Sequence, residues 1–119
     1  LLGYTNVYAP ILDVGRDQRW GRYEEVYGES PYLVAELGIA MGKGLQTDMQ
    51  VASTAKHFIA YSNNKGAREG FARVDPQMSW REVENIHAYP FTRVIQEAGI
   101  LGVMSSYNDY FLSKAATIG

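Results

Sequence analysis

Cysteine is absent from these 119 residues, which excludes a disulfide framework, thiolate metal ligation and a cysteine nucleophile. The compartment stays open, since cysteine-free chains occur inside and outside cells. No Gly-x-Gly-x-x-Gly or Walker-type run is present, which disfavours the dinucleotide- and nucleotide-binding versions of an α/β fold. Charge of one sign is also lacking. The Lys and Arg (11) and the Asp and Glu (13) are interspersed and leave a net charge of -2, so neither nucleic acid nor an anionic membrane is an expected partner. Apolar runs fall well short of the roughly 20 residues that span a bilayer, and no targeting or anchoring segment is expected within these residues.

What is present is ordinary globular material, 46% hydrophobic and 20% charged, with room for one domain at most. Asn6 to Val14, NVYAPILDV, reads as a buried strand in which Pro10 marks a bulge or an edge. Ser30 as N-cap and Pro31 at the first helical position open a helix to about Gly44, with Leu33, Val34, Leu37, Met41 and Leu45 at helical spacing. Met49 to Tyr61, MQVASTAKHFIAY, reads as a second strand whose small residues fit a crowded sheet interior. Ser62 to Met78 turns polar without a period and reads as a long ordered loop. A capping box, Ser79 with Glu82, opens a second helix that turns Val83, Ile86, Val94, Ile95 and Ala98 inward; Pro90 is expected to kink it and Gly99 to terminate it. Ile100 to Tyr107 is then a third strand.

Strand, helix, strand, helix, strand is the alternation of an α/β fold with parallel strands. Parallel strands bring three polar clusters to one end of the sheet: Arg16 to Glu29 after the first strand, Lys56 and His57 at the second, and Ser105 to Asp109 at the third. Ligands bind at that end in (β/α)8 barrels and open α/β sheets. A whole barrel takes about 250 residues, so three strands predict a partial (β/α)8 barrel and a chain that is a piece of a larger protein.

The segment Asp13 to Pro31, DVGRDQRWGRYEEVYGESP, crowds three arginines, five carboxylates and a tryptophan into one loop. One reading is a solvated loop stitched by weak surface ion pairs. Others combine the arginines with Lys56 and His57 as a phosphate site, a Schiff-base lysine or a set of hydroxyl-binding donors. A phosphate site prefers Gly-rich backbone donors at a helix start, and a Schiff-base lysine needs an apolar pocket. Neutral sugars are held by charged donors and carboxylates with an aromatic face against the ring. The residue types alone leave these alternatives open.

Three motifs in order resemble glycoside hydrolase family 3, in particular its bacterial β-glucosidases, over nearly the whole chain. API-LDVGRDQRWGRYEEVYGESPYLV is similar to the family's P-x-L-D-V-x-R-D-x-R-W-G-R-x-E-E-x-x-G-E-D-P-Y-L segment, with Ser30 in place of the usual Asp. AKHFIAY matches the Lys-His-Phe strand end, and GVMSSYND the Val-Met-x-x-Tyr-Asn strand. The resemblance implies that residues 1–119 form a central fragment of the N-terminal (β/α)8 domain. It implies that Arg22, Lys56 and His57 donate hydrogen bonds to sugar hydroxyls in subsite -1, and that Met104 and Tyr107 line the same pocket. Trp20 with Glu24 or Glu25 would brace the loop that aims Arg22, and Asp13 would offset the buried cations. His87 is expected to be an ordinary surface or core histidine.

By the same resemblance the reaction is hydrolysis of β-glycosides with retention, through an Asp nucleophile and a Glu acid/base roughly 5 to 5.5 Å apart. Both are expected outside this chain, and Asp109 is not the nucleophile's match. The substrate implied is a β-glucoside or oligosaccharide, with β-xylosidase specificity or a non-catalytic carbohydrate-binding role as alternatives, no cofactor and no metal at these residues, and a periplasmic or secreted location. Phe58 is followed by Ile59, Ala60 and Tyr61 rather than the Pro-Gly-His-Gly of the family's N-acetylglucosaminidases, which favours the glucosidase branch. After Asn108-Asp109-Tyr110 the sequence FLSKAATIG departs from the family's acidic, Gly- and Pro-containing turn, the mark expected of a truncated or aberrantly terminated frame.

Overall fold

Ser30 and Pro31 begin the first helix as their chemistry requires. The Ser30 hydroxyl accepts from the Leu33 amide, and Pro31, whose missing N–H would be unpaired there anyway, is the first residue of α1, Pro31–Leu45. The structure, a computed structural model, describes residues 2–63, 75–110 and 113–114. The greater part of the expected 62–78 loop lies outside the described residues.

Three parallel strands form the sheet in the order β1 (Asn6–Val7), β2 (Ala52–Phe58), β3 (Gly102–Ser105). The first strand is much shorter than the 6–14 run expected. Pro10 has no N–H to give the ladder, so pairing lapses after Val7 and returns as a single bridge between Ile11 and Lys56. From there the chain still runs beside β2, with Lys56 N–H donating to Pro10 and Leu12 N–H to Lys56. The second strand is also shorter than expected: residues 47–49 form a 3-10 turn, with Asp48 and Met49 at positive φ. A separate two-stranded antiparallel ladder, β4 (Asp109–Tyr110) with β5 (Ser113–Lys114), follows the third strand.

The second helical stretch starts at the expected capping box, Ser79 and Glu82 serving each other's backbone amides, and ends at Gly99 with φ 62°. α2 (Trp80–Glu82) passes through a π-helical segment, Val83–Ala88, into α3 (Tyr89–Ala98). The wider i to i+5 register upstream accommodates a residue that cannot donate and whose ring crowds the preceding turn.

Both helices pack on one face of the sheet around Leu12, Val14, Val34, Ile39, Ala55, Phe91, Val94 and Ile100. The inward face of α1 differs from the expected one. Leu33, Leu37 and Met41 are more than 40% exposed, and the buried set is Val34, Ala35, Gly38, Ile39 and Gly42. A Cβ on Gly38 would lie 2.5 Å from Leu12 Cδ2 and 2.9 Å from Val94 Cγ2; one on Gly42 would lie 2.6 Å from Ile100 Cδ1. The glycines therefore let α1 sit against sheet and α3 at a distance no side chain permits. Ile95, expected inward, is 44% exposed.

Gln46, buried just past α1, ties the far end of the sheet together. Its amide nitrogen donates to the Ala98 and Gly99 carbonyls, and its oxygen accepts from the Ser53 and Leu101 amides. The Ser53 hydroxyl in turn donates to the Ala9 carbonyl. These bonds satisfy the backbone groups that strand starts and a helix end leave orphaned. Among the described residues no helix is long and apolar enough to cross a membrane.

Candidate functional site

The carboxyl ends of the strands carry the polar cluster. Alternation places Leu12 and Val14 in the core and turns Asp13 between them to the other side. Asp13 is 3% exposed, and its Oδ2 accepts both the His57 backbone N–H at 3.2 Å and the His57 Nδ1–H at 2.8 Å. A carboxylate can only accept, so the imidazole proton sits on Nδ1. Nε2 is then left with a lone pair, which accepts from Arg22 Nη1 at 3.3 Å. The peptide bonds Lys56-His57 and Phe58-Ile59 are cis.

Arg22 reaches this position because the loop folds inward around it. The Asp17 side chain caps a 3-10 turn at residues 18–20 that buries Trp20 completely, and Gly21, at φ 85°, reverses the chain through a conformation open to glycine. Arg22 is 9% exposed. Its Nε and Nη2 donate to the two Glu25 oxygens, each at 2.6 Å, a bidentate fork that supplies countercharge and geometry together. The hydrogen bond to Glu25 holds the guanidinium pKa above the ordinary arginine range against the opposing effect of burial. The guanidinium carbon also lies 5.8 Å from the ring centroids of both Trp20 and Tyr61, contacts worth about 0.5 to 2 kcal/mol each, rising with desolvation.

Most other charges in this loop face water. Arg19 pairs with Asp17 at 2.8 Å with 80% of its side chain exposed, Arg16 donates weakly to the Glu29 carbonyl, and Tyr23 donates to Glu29. The solvated-loop reading thus holds for these residues and fails for Arg22. Of the two braces considered, Glu25 holds Arg22 and Glu24 is exposed. Asp13 serves Arg22 through His57 rather than by direct contact.

The expected site residues are brought together unequally. Arg22 and His57 touch. Tyr107, 62% exposed, joins them through the edge of Tyr61, its ring centroid 5.7 Å away. Lys56 is half-buried, pairs by its backbone, and among the described residues its ammonium has no ion-pair partner. Met104 is half-buried on β3 and among the described residues takes no part in the hydrogen-bonded network. Among the described residues no cluster of side chains could hold a metal ion.

Sequence reasoning did not single out the ties between strand ends. The Ser62 hydroxyl donates to the Val14 carbonyl at 2.7 Å. Ser106 and the fully buried Asn108 both donate to the Ile59 carbonyl, at 3.2 and 3.1 Å. Two buried atoms, Trp20 Nε1 and Asn108 Oδ1, have no hydrogen-bond partner among the described residues. An apolar cavity of about 590 Å³ lined by Leu2 to Thr5, Gln50 and Val51 lies at the opposite end of the strands and contains none of these groups.

His87 is a core residue, 4% exposed, on the π-helical segment. Burial first, then the Arg16 charge, lowers its pKa from 6.5 to about 4, opposed by Glu82. The native state keeps it neutral while the unfolded chain protonates it below 6.5. Its contribution is therefore fully present above pH 6.5 and lost as pH falls from 6.5 toward 4, roughly 3 kcal/mol in all. Thermal unfolding across that window should show a steeper acid loss in the wild type than in His87→Leu; parallel profiles would contradict the burial argument.

Comparison with known proteins places this arrangement. The model of the glycosyl hydrolase family 3 N-terminal domain matches residues 2–116. A β-xylosidase from Formosa agariphila is 41% identical over 118 residues, covering 92% of this chain and 16% of that protein. A periplasmic β-glucosidase from Salmonella typhimurium is 35% identical over 111 residues, covering 89% of this chain and 14% of that protein. Among solved structures, a mutant β-glucosidase from Listeria innocua in complex with laminaribiose superposes with a TM-score of 0.84 at 36% identity, covering 95% of this chain and 16% of that one. The chain thus spans about a sixth of the length of such relatives.

Proposed function

This chain belongs to glycosyl hydrolase family 3, and on that premise we propose that residues 1–119 form the central arc of a (β/α)8 domain in a retaining β-glucosidase, contributing sugar-binding side chains to subsite -1. The observation that carries the reading is the chain of contacts Asp13, His57, Arg22, Glu25, buried as far as Arg22, at the carboxyl ends of parallel strands. Of the five guanidinium N–H groups of Arg22, three are committed to Glu25 and His57, which leaves donors for sugar hydroxyls. The resemblance gives His57 a donor's role, but with its proton held by Asp13 and its Nε2 lone pair taken by Arg22, His57 serves the subsite by holding Arg22 in place. Lys56 adds a donor, and Met104 with Tyr107 supplies apolar and aromatic wall.

The nucleophile and acid/base come from the remainder of the parent protein in this reading, and the arc alone is inactive. A second reading, β-xylosidase specificity, is favoured by the 41% identity to the Formosa agariphila enzyme. Full-length protein assayed with aryl β-glucoside and aryl β-xyloside tests both. Preferential cleavage of the glucoside with retained anomeric configuration is expected; preference for the xyloside selects the second reading, and a folded protein that cleaves neither overturns both.

A further inference from the structure

Tyr61 was not assigned a role above, yet each of the three polar clusters meets its ring. It is 1% exposed, too deep to contact a sugar. Trp20, from the loop after the first strand, stands edge-on to it with centroids 5.1 Å apart. His57, from β2, does the same at 5.2 Å, and Tyr107, beyond β3, at 5.7 Å. The Arg22 guanidinium lies 5.8 Å from its centroid. Residues just past the end of β2 would ordinarily be free to turn outward. Here a 3-10 turn at Tyr61–Asn63 begins with Tyr61, and the next residue, Ser62, is tied to the Val14 carbonyl, which fixes the ring beneath the cluster.

We propose that Tyr61 is the positioning residue of the sugar subsite, its ring fixing Arg22 against His57 and setting the tilt of Tyr107; this rests on the glycosidase reading above for its catalytic consequence. Glu25 and Asp13 hold Arg22 and His57 each from one side. Neither bond determines how the two approach one another. The Tyr61 ring does, because it meets the imidazole and the guanidinium at once. Edge and face contacts with an aromatic ring are directional, which a flexible aliphatic side chain is not.

The test uses full-length protein with Tyr61→Phe, Tyr61→Leu and Tyr61→Met. Phe keeps the ring and loses only the hydroxyl's contact with the Arg22 guanidinium, so it should retain kcat/KM within about tenfold. Leu and Met keep bulk but not direction. They should lower kcat/KM by roughly 100-fold, mostly in kcat, as a misplaced binding group does. Equal activity of the Leu or Met variant, or a loss in Phe as large as in Leu, would overturn the proposal. Crystal structures of the wild type and of whichever aliphatic variant folds provide a readout independent of activity. The Arg22 Nη1 to His57 Nε2 approach, 3.3 Å here, should open beyond hydrogen-bond reach in the variant, and an unchanged approach overturns the proposal. If the wild type cleaves no aryl glycoside, the glycosidase reading falls while this separation still decides the positioning role.

Discussion

Arg22→Lys in the full-length protein is expected to lower kcat/KM by roughly 100-fold or more while leaving the protein folded, although the charge is conserved. The guanidinium performs three tasks with one planar group. Two of its nitrogens meet both oxygens of Glu25, and the third reaches His57. An ammonium presents three donors from a single nitrogen and cannot span Glu25 and His57 while facing a sugar hydroxyl. It also forfeits the flat contacts with Trp20 and Tyr61. Glu25→Gln, which keeps one acceptor and the shape, should cost less, about tenfold, because Arg22 loses a countercharge but not its site. Steady-state kinetics on an aryl β-glycoside decides the matter. Arg22→Lys within threefold of wild type would show that Arg22 is a structural cation and not a subsite donor.

The helix ends were legible because capping is local chemistry. Ser30 with Pro31, Ser79 with Glu82, and Gly99 each announce themselves within a few residues, and each does what its neighbours in sequence demand. The buried face of α1 was not legible. Hydropathy ranks Leu33, Leu37 and Met41 above Gly38 and Gly42, yet the glycines lie inside because Leu12, Val94 and Ile100, distant in sequence, already fill the space a side chain would take. Close approach is a property of two surfaces, and one strip of sequence shows only one of them. The π-helical segment Val83–Ala88 ahead of Pro90 was not legible either, because hydropathy spacing does not announce a change of helical register.

At the site, the ends of parallel strands were foreseeable from the order of elements, and Arg22 with His57 from the motifs that carry them. Which charges of a crowded loop are buried was not foreseeable. Arg16, Arg19 and Arg22 follow one another at intervals of three residues in near-identical surroundings, and only Arg22 is enclosed, by Gly21 turning the chain after Trp20 has entered the interior. The hydrogen bonds that tie strand ends join residues more than forty positions apart. Serine and asparagine look alike to any local reading whether they cap a neighbour or bridge two strands.

Asp13→Ala should be the most destabilising single change at the site, on the order of 4 kcal/mol, because it strands two buried donors at once. The His57 backbone N–H and Nδ1–H both end on one Asp13 oxygen, with both residues less than 5% exposed. Water does not reach that acceptor's place while both residues stay enclosed. The tautomer changes as well. Without a carboxylate on Nδ1 the proton is free to move to Nε2, where it points at a guanidinium that has no acceptor to offer. His57 then either turns away or displaces Arg22, so activity should fall further than the folded fraction explains. Asp13→Asn separates the two effects. Its side-chain oxygen can still accept from His57, so thermal stability should recover by about half, but its amide can also donate, so it no longer imposes the tautomer that an acceptor-only carboxylate does. Thermal unfolding and kcat/KM measured on both variants distinguish these roles. If Asp13→Asn restores stability and activity together, the carboxylate acts only as a hydrogen-bond acceptor and the tautomer argument fails. If it restores stability alone, the acceptor-only carboxylate of Asp13 sets the state in which His57 holds Arg22.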